Sequence, residues 1–451
     1  MPEPRVVIIG GGAAGLSAAI AAARLGVAVT LLEAGTSPGR KILASGNGRC
    51  NLTNALVSPS AYNHPEFVEP VLDQYPCEGV RAFFGGMGLL TCADDEGRVY
   101  PATNAAASVL EVMRLECAQL GVDERYGFEV AGVAAARAIT GSAGATGAAA
   151  SPATGHAGFE VTSRDGETVR ADAVIVCAGG GDSLLTGMGH GRVECVPVLG
   201  PIKTNAEPIR RLSGIRVRCA ASLLGVQSAT SGAGAPGPEA PPVATERGEL
   251  LFREYGVSGI MIFDLSRFLE QGSVLSIDFF PDVPADEFRT MIAERCTALP
   301  WRTAETFLDG MLHHRVAQAV LRVARIDPKT PASELPQGRL TELLKDFRLD
   351  VTGRGDARQA QVTRGGAPVA EFEAATMQSR LVRGLFAAGE VLDVDGRCGG
   401  FNLHWAWASG IVAGENAARA AAGLDADAEG RDAGGAWAAA KGRDAAAGDS
   451  A

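Results

Sequence analysis

Four apolar residues in a row, Val6-Val7-Ile8-Ile9, run into Gly10-Gly11-Gly12-Ala13-Ala14-Gly15 and then into a stretch rich in alanine, leucine and isoleucine. An unbroken apolar run predicts a strand buried on both faces, and the stretch after the glycines predicts a closely packed helix. A second run from Val27 to Leu32 predicts a neighbouring strand that ends in Glu33. The pattern returns at Ala173-Val174-Ile175-Val176-Cys177-Ala178, which stops at Gly179-Gly180-Gly181 and predicts a buried parallel strand meeting a close backbone approach; it returns again at Gly384 to Glu390. Between them, Val109, Leu110, Val112, Met113 and Leu120 predict one buried stripe of a helix over 105–120. Beyond Arg192 the pattern changes to short alternating strands, and from 285 to 349 to helices broken at Pro300, Pro328, Pro331 and Pro336.

These elements predict an α/β chain with a discontinuous Rossmann-like dinucleotide domain at 1–191 and 361–420. Inserted into it are a β-rich, barrel-like module at 192–284 and 337–360 and a small helical subdomain at 285–336. Low-complexity runs predict an extended ribbon connection at 131–158, a disordered loop at 228–242 and a frayed tail at 421–451. The segment from Gly39 to Asn54, dense in glycine and hydrogen-bonding residues, reads as a close-fitting loop.

The first strand, turn and helix carry the most specific chemistry. Gly10 allows the tight turn, Gly12 lets a pyrophosphate approach the backbone, and Gly15 lets helix and strand pack closely. Glu33 stands where a carboxylate accepts from a ribose hydroxyl pair, and it would repel a 2′-phosphate, which favours NAD or FAD over NADP in this site.

Composition narrows the classes. The chain has 451 residues, 46% of them hydrophobic, enough for two or three cores and a flavin-sized ligand. A formal charge of −11 argues against nonspecific coating of nucleic acid, although 192–218 is locally basic, with Arg192, Lys203, Arg210, Arg211, Arg216 and Arg218 against Glu194 and Glu207. Nine cysteines without CxxC spacing suggest neither a zinc site nor a disulfide framework, and a reducing cytoplasm is the expected compartment. The N-terminal apolar run mimics a signal peptide, but the glycine turn inside it is better read as the cradle. The adjacent His313 and His314 point about 100° apart on a helix and read as surface residues rather than as chelators.

Three blocks, GGGAAGLSAAI, GRKILASGNGRCNLTN and GLFAAGEVLDVDGRCGGFNLHWAWASG, resemble the BaiN-like (RdsA-like) family of FAD-dependent oxidoreductases within the glutathione-reductase-like flavoproteins; GELLFREYGVSG from Gly248 looks like a further family element. The resemblance implies FAD, with Gly10, Gly12, Ala14 and Gly15 at the pyrophosphate and Glu33 at the adenosine ribose. It places Val130 at the adenine, and Arg40, Lys41, Ser45, Gly46, Arg49, Cys50 and Asn51 along the flavin side. Gly179 also lies on the cofactor, Gly389 and Glu390 reach its pyrophosphate and ribityl end, and Gly399, Gly400, Phe401 and Asn402 offer N–H groups to the pyrimidine edge. The chain departs from the family pattern at Asn47, at Arg397-Cys398, which puts a thiol near the flavin, and after Gly181, where a family helix is expected to be missing.

The reaction this suggests is reduction of an activated C=C bond in a small steroid- or bile-acid-like enone, hydride passing from NAD(P)H through flavin N5 while an acid protonates the neighbouring carbon. Cys50 is the leading acid, with Tyr100 and His404 as alternatives; each also reads as a packing residue, His404 with its ring satisfied by backbone. Arg49 either binds an anionic substrate or pairs with a carboxylate. Other readings are a flavin-dependent uridine reductase acting on ribosomal or transfer RNA, an amine oxidase, and a non-catalytic FAD-binding redox sensor.

Overall fold

In the computed structural model, residues 3–135, 158–180, 183–225 and 241–424 are described. The ribbon connection expected at 131–158, the loop at 228–242 and the tail from 421 fall largely outside them. Two compact units emerge, one from residues up to Val196 and from Val362 on, the other from Pro197 to Gln361.

The first unit is built on a five-stranded parallel sheet in the order Leu385–Ala387, Ala173–Val176, Arg5–Ile9, Ala28–Glu33, Asp123–Tyr126. Val6 to Ile9 and Ala173 to Val176 are buried throughout because they occupy inner positions covered on both faces. Asp123–Tyr126 lies at the edge, and its residues are polar. Helix Ala13–Arg24 follows the first strand and packs against the long helix Phe401–Ala421. Added to the sheet are an antiparallel trio, Val130–Ala135, Phe159–Ser163 and Thr168–Ala171, and a smaller one, Thr53–Asn54, Arg98–Pro101 and Thr91–Ala93. The segment after Gly181 is not without a helix: Leu184–Gly187 forms a single turn, held by buried Leu184 and Leu185.

The second unit is a closed six-stranded barrel in the order Ile202–Thr204, Gly256–Ser258, Ala244–Arg253, Arg216–Leu224, Val274–Asp278, Phe347–Arg354, the last pairing back with the first. Helices Ala285–Ala298, Ala304–Phe307, His314–Ala324 and Gln337–Lys345 share one core with it, in which barrel residues Leu250, Phe252, Ile277 and Phe347 join Phe288, Ile292, Phe307, Val320 and Leu340. The helices are thus a layer of the barrel unit rather than a subdomain with its own interior. They also run past 336, because Pro336 stands at the start of helix Gln337–Lys345, where its missing N–H costs nothing. No helix among the described residues is long and apolar enough to cross a membrane.

Candidate flavin site

The glycine turn divides its labour. Gly10 takes φ +104°, and a Cβ there would lie 2.5 Å from the Cys177 carbonyl oxygen; a Cβ on Gly15 would lie 1.8 Å from the Gly10 oxygen. Both are glycine because strand and helix pack too closely for a side chain. At Gly12 a Cβ would meet no atom within 4 Å. That open position caps helix Ala13–Arg24, whose first N–H groups lack intrahelical acceptors and whose dipole favours an anion. Ala14 lies in this first turn, and Gly389, at φ +76°, packs against it so closely that a Cβ there would stand 2.9 Å from the Ala14 Cβ.

Glu33 ends its strand with both carboxylate oxygens oriented, Oε2 accepting from the Gly11 N–H and Oε1 from the Gly35 N–H, each at 2.7 Å. Each oxygen keeps a lone pair for a hydroxyl. The Phe128 N–H donates to the Glu33 carbonyl at 3.0 Å, which brings Val130, two residues on, into the neighbourhood of Glu33.

The Gly39–Asn54 segment is more regular than the expected loop. Arg40–Ala44 is a short helix because Ile42 is fully buried and anchors it, Ser45–Gly48 is a tight turn with Gly46 and Asn47 at positive φ, and Thr53–Asn54 is a strand. The Gly39 N–H donates to the Gly11 carbonyl at 2.8 Å and so brings Arg40 and Lys41 to the cradle. Arg40 is exposed. Lys41 Nζ pairs with Glu390 Oε2 at 2.6 Å, while Glu390 Oε1 accepts from the Thr363 N–H at 2.6 Å. Gly179, at φ +82°, has its Cβ position 3.7 Å from Lys41 Nζ. Gly179, Gly389 and Glu390 all follow the carboxyl ends of parallel strands, Ala173–Val176 and Leu385–Ala387, the side on which open α/β sheets bind ligands.

Ser45 closes the next turn, its Oγ donating to the Ile42 carbonyl at 2.6 Å and its own carbonyl accepting from Cys50 N–H at 3.1 Å. Cys50 is fully buried at φ +56°. Burial pushes its thiol up to about 11, with a hydrogen bond from the Ser45 side chain pulling the other way. Arg49 is exposed, its guanidinium 4.8 Å over the Tyr100 ring. Of the two roles considered for it, the carboxylate partner is not what it meets; it meets an aromatic face. Asn51 Oδ1 is buried without a hydrogen-bond partner.

Residues 52–54 are fastened to the start of helix Phe401–Ala421. The Trp407 indole N–H donates to the Leu52 carbonyl at 2.9 Å, Thr53 Oγ1 and His404 Nδ1 stand 2.7 Å apart, and Asn54 Nδ2 donates to the Gly399 carbonyl at 2.9 Å. Gly400 takes φ +102° and approaches the Thr53 carbonyl within 2.4 Å of its Cβ position, so only glycine fits. The Phe401 carbonyl accepts from Tyr62 Oη at 2.8 Å. Asn402 folds back, accepting from the Gly396 N–H at 2.8 Å and donating to the Gly396 and Arg397 carbonyls at 3.0 and 3.1 Å. His404 meets a side chain through Nδ1, and not backbone alone. Burial lowers it to about 4, the Tyr75 backbone opposing weakly, and its Nε2 has no partner in hydrogen-bond geometry.

The sequence pattern passed over a set of acids and their partners. Asp395, fully buried, is paired with Arg364 at 2.7 Å. Asp393 accepts from the Gly365 N–H at 2.9 Å and pairs with His64 at 3.0 Å; burial would raise its pKa, but these hydrogen bonds outweigh it and hold the carboxyl below its ordinary value. Two acids within the apolar run Val391 to Val394 and just after it were the available signal, since a buried carboxylate demands a partner. His313 caps its helix by accepting from the Arg315 N–H, and His314 lies 3.2 Å from Asp309.

A parallel sheet, a glycine cradle at a helix start, an oriented acid, and cations and glycines at the strand ends define a Rossmann-type nucleotide-binding oxidoreductase. The family model described as "HI0933-like protein Rossmann domain" matches residues 4–416, and the chain belongs to that family. It is 34% identical to the 3-dehydro-bile acid delta(4,6)-reductase of Clostridium scindens, over 92% of this chain and 99% of that protein. It is 28% identical to the ribosomal RNA dihydrouridine synthase of Escherichia coli (89% and 95% covered) and 26% identical to that of Haemophilus influenzae (89% and 96%). The protein is a FAD-dependent oxidoreductase, and the open position at Gly12, the oriented Glu33 and the unpartnered Asn51 oxygen fit that cofactor.

Proposed function

We propose that the protein reduces an activated C=C bond in a small enone of the steroid or bile-acid class, with NAD(P)H as electron donor. The observation that carries this reading is the near end-to-end match to the C. scindens reductase. Bound FAD supplies the two-electron transfer. The chain's own residues bind, orient and protonate. The Gly10–Gly15 cradle holds the diphosphate, Glu33 and Val130 the adenosine, Arg40, Lys41, Ser45, Gly46 and Gly179 the flavin side, and Gly389, Glu390 and Gly400–Asn402 the far end. Cys50 is the proton source. With its pKa near 11 it keeps its S–H through the neutral range, and the Ser45 hydrogen bond eases the charge left when the proton goes. Arg49, braced on the Tyr100 ring and open to solvent, orients an anionic group on the substrate. His404, uncharged above pH about 4 and engaged with Thr53, does not compete as acid.

The test is anaerobic. NADH or NADPH bleaches the oxidised-flavin absorbance, and a 3-keto-4-ene steroid restores it with formation of the saturated ketone. Cys50→Ala leaves the bleaching unchanged and slows the restoration by about 10²-fold. A flavin that neither nucleotide bleaches removes the donor assignment, and an unslowed variant removes Cys50.

One observation favours a second reading, uridine reduction in RNA. The exposed positions of helix His314–Ala324 and its two caps are His313, His314, Arg315, Gln318, Arg322 and Arg325, and Arg322 reaches the carbonyl of Arg210 at 3.3 Å. This basic face lies near the exposed Trp301, since Arg302, over its ring, and His314 both reach Asp309. Arginines beside an exposed indole suit phosphates and a stacked base. Binding of ribosomal RNA that weakens steeply with salt and is lost in Arg315→Ala/Arg322→Ala supports it; salt-independent or absent binding excludes it.

A further inference from the structure

We propose that the Asn51 side chain reads the imide edge of the flavin, its Oδ1 accepting the ring N3–H and its Nδ2 donating to the adjacent ring carbonyl. The inference rests on the assignment of FAD to this site. Its first support is what Asn51 lacks. Oδ1 is buried without a hydrogen-bond partner, and among the described residues nothing accepts from Nδ2. A buried carbonyl oxygen left this way costs free energy unless a ligand supplies a donor.

The second support is how firmly the amide is held. The Cys50 N–H donates to the Ser45 carbonyl at 3.1 Å and the Leu52 N–H to the Val99 carbonyl at 2.8 Å, so the main chain is tied on both sides of Asn51. Trp407 fixes the Leu52 carbonyl, and Gly46 lies so close that a Cβ on it would stand 2.9 Å from the Asn51 main-chain nitrogen. A side chain on a backbone so constrained is preorganised.

The third support is chemical complementarity. A primary amide presents an acceptor and a donor side by side, the complement of a ring N–H flanked by a carbonyl. Oxidised isoalloxazine has one ring N–H, at N3, between two carbonyls. Uracil carries the same imide edge, so the shared chemistry has two sources, cofactor and a uridine substrate, and the experiment separates them.

The full chain, stripped of flavin, is titrated with FAD and with 3-methyl-FAD, in which a methyl group replaces the N3 proton. The wild-type protein binds 3-methyl-FAD about tenfold more weakly than FAD. Asn51→Leu binds FAD about tenfold more weakly and no longer distinguishes the two flavins. Equal affinity of the wild type for both flavins overturns the proposal without recourse to any variant. So does a variant that still discriminates, because another group then accepts N3–H. If instead the variant keeps its flavin discrimination while the FAD-loaded protein loses affinity for uridine monophosphate, the amide reads the substrate and the flavin assignment is wrong. Failure of the wild type to bind either flavin is a different outcome, and it sinks the FAD assignment itself.

Discussion

At the scale of single residues, the second and third glycines of the GxGxxG turn look alike in sequence and differ in what a methyl group would meet. Gly15→Ala drives its Cβ to 1.8 Å from the Gly10 carbonyl oxygen, a main-chain clash between strand and helix. It destabilises the apoprotein by about 3 kcal/mol or more. Gly12→Ala places its Cβ where no atom lies within 4 Å, at φ −81°, which any residue adopts. Apoprotein stability stays within about 0.5 kcal/mol of wild type, while FAD affinity falls by at least about tenfold because the methyl group occupies the anion's approach. Thermal melts of flavin-free protein together with flavin titrations check both halves, and an unchanged FAD affinity in Gly12→Ala would falsify the cradle assignment. The motif itself was readable from the sequence, because spacing and flanking apolar runs suffice to place it. What separates its glycines was not, since the Cys177 and Gly10 carbonyls that crowd them are contributed by the folded chain.

At the scale of elements, helix Phe401–Ala421 does the most positioning. Gly410 and Gly414 let it approach helix Ala13–Arg24 until their Cβ positions lie 2.4 Å from the carbonyl oxygens of Ala14 and Ala18. Its first turns carry the fastening to residues 52–54. The resemblance drew attention to Gly399–Asn402, but nothing in the sequence pointed to His404's partner, because Thr53 lies 351 positions away and no local pattern joins the two. The Gly39–Asn54 segment shows the opposite failure, glycine density masking a short helix whose only hold on the core is Ile42. His404 makes the helix pH-sensitive. Its imidazole protonates near pH 4 in the folded protein and near 6.5 when unfolded. Between those values the unfolded chain holds the extra proton, so stability falls as the pH drops from about 6.5 to about 4, by about 3 kcal/mol in total, and this group adds nothing further below that. In His404→Gln the slope disappears. Denaturant midpoints between pH 7 and 4 measure it, and a variant with the wild-type slope would assign the acid sensitivity to other groups.

At the scale of the whole molecule, the late return of a Rossmann strand made the inserted architecture readable, because Leu385–Ala387 repeats the apolar signature of the parallel sheet. The relation of barrel to helices was harder to read. Proline breaks in 285–349 suggest a separate helical body, whereas Phe288, Ile292 and Leu340 share an interior with Leu250 and Phe347, and sequence periodicity records which positions are buried, not against what. That shared interior leads to a prediction. Residues 197–361 contain a hydrophobic core of their own, and the ends of the insert meet, the Gln361 N–H donating to the Leu199 carbonyl at 3.2 Å. An insert whose termini are already adjacent needs no restraint from the flanking chain to close its barrel. Expressed alone, 197–361 unfolds cooperatively, and FAD leaves its melting temperature unchanged because the cradle, Glu33, Cys50 and Glu390 all lie outside it. In the full chain, FAD at about a hundredfold its dissociation constant stabilises the transition of the cradle-bearing unit by about 2.7 kcal/mol. Calorimetry of fragment and full chain, each with and without FAD, reads both effects. A fragment without a cooperative transition shows that the insert requires the flavin unit to fold, and a fragment whose transition moves with FAD shows that part of the binding site lies within the barrel.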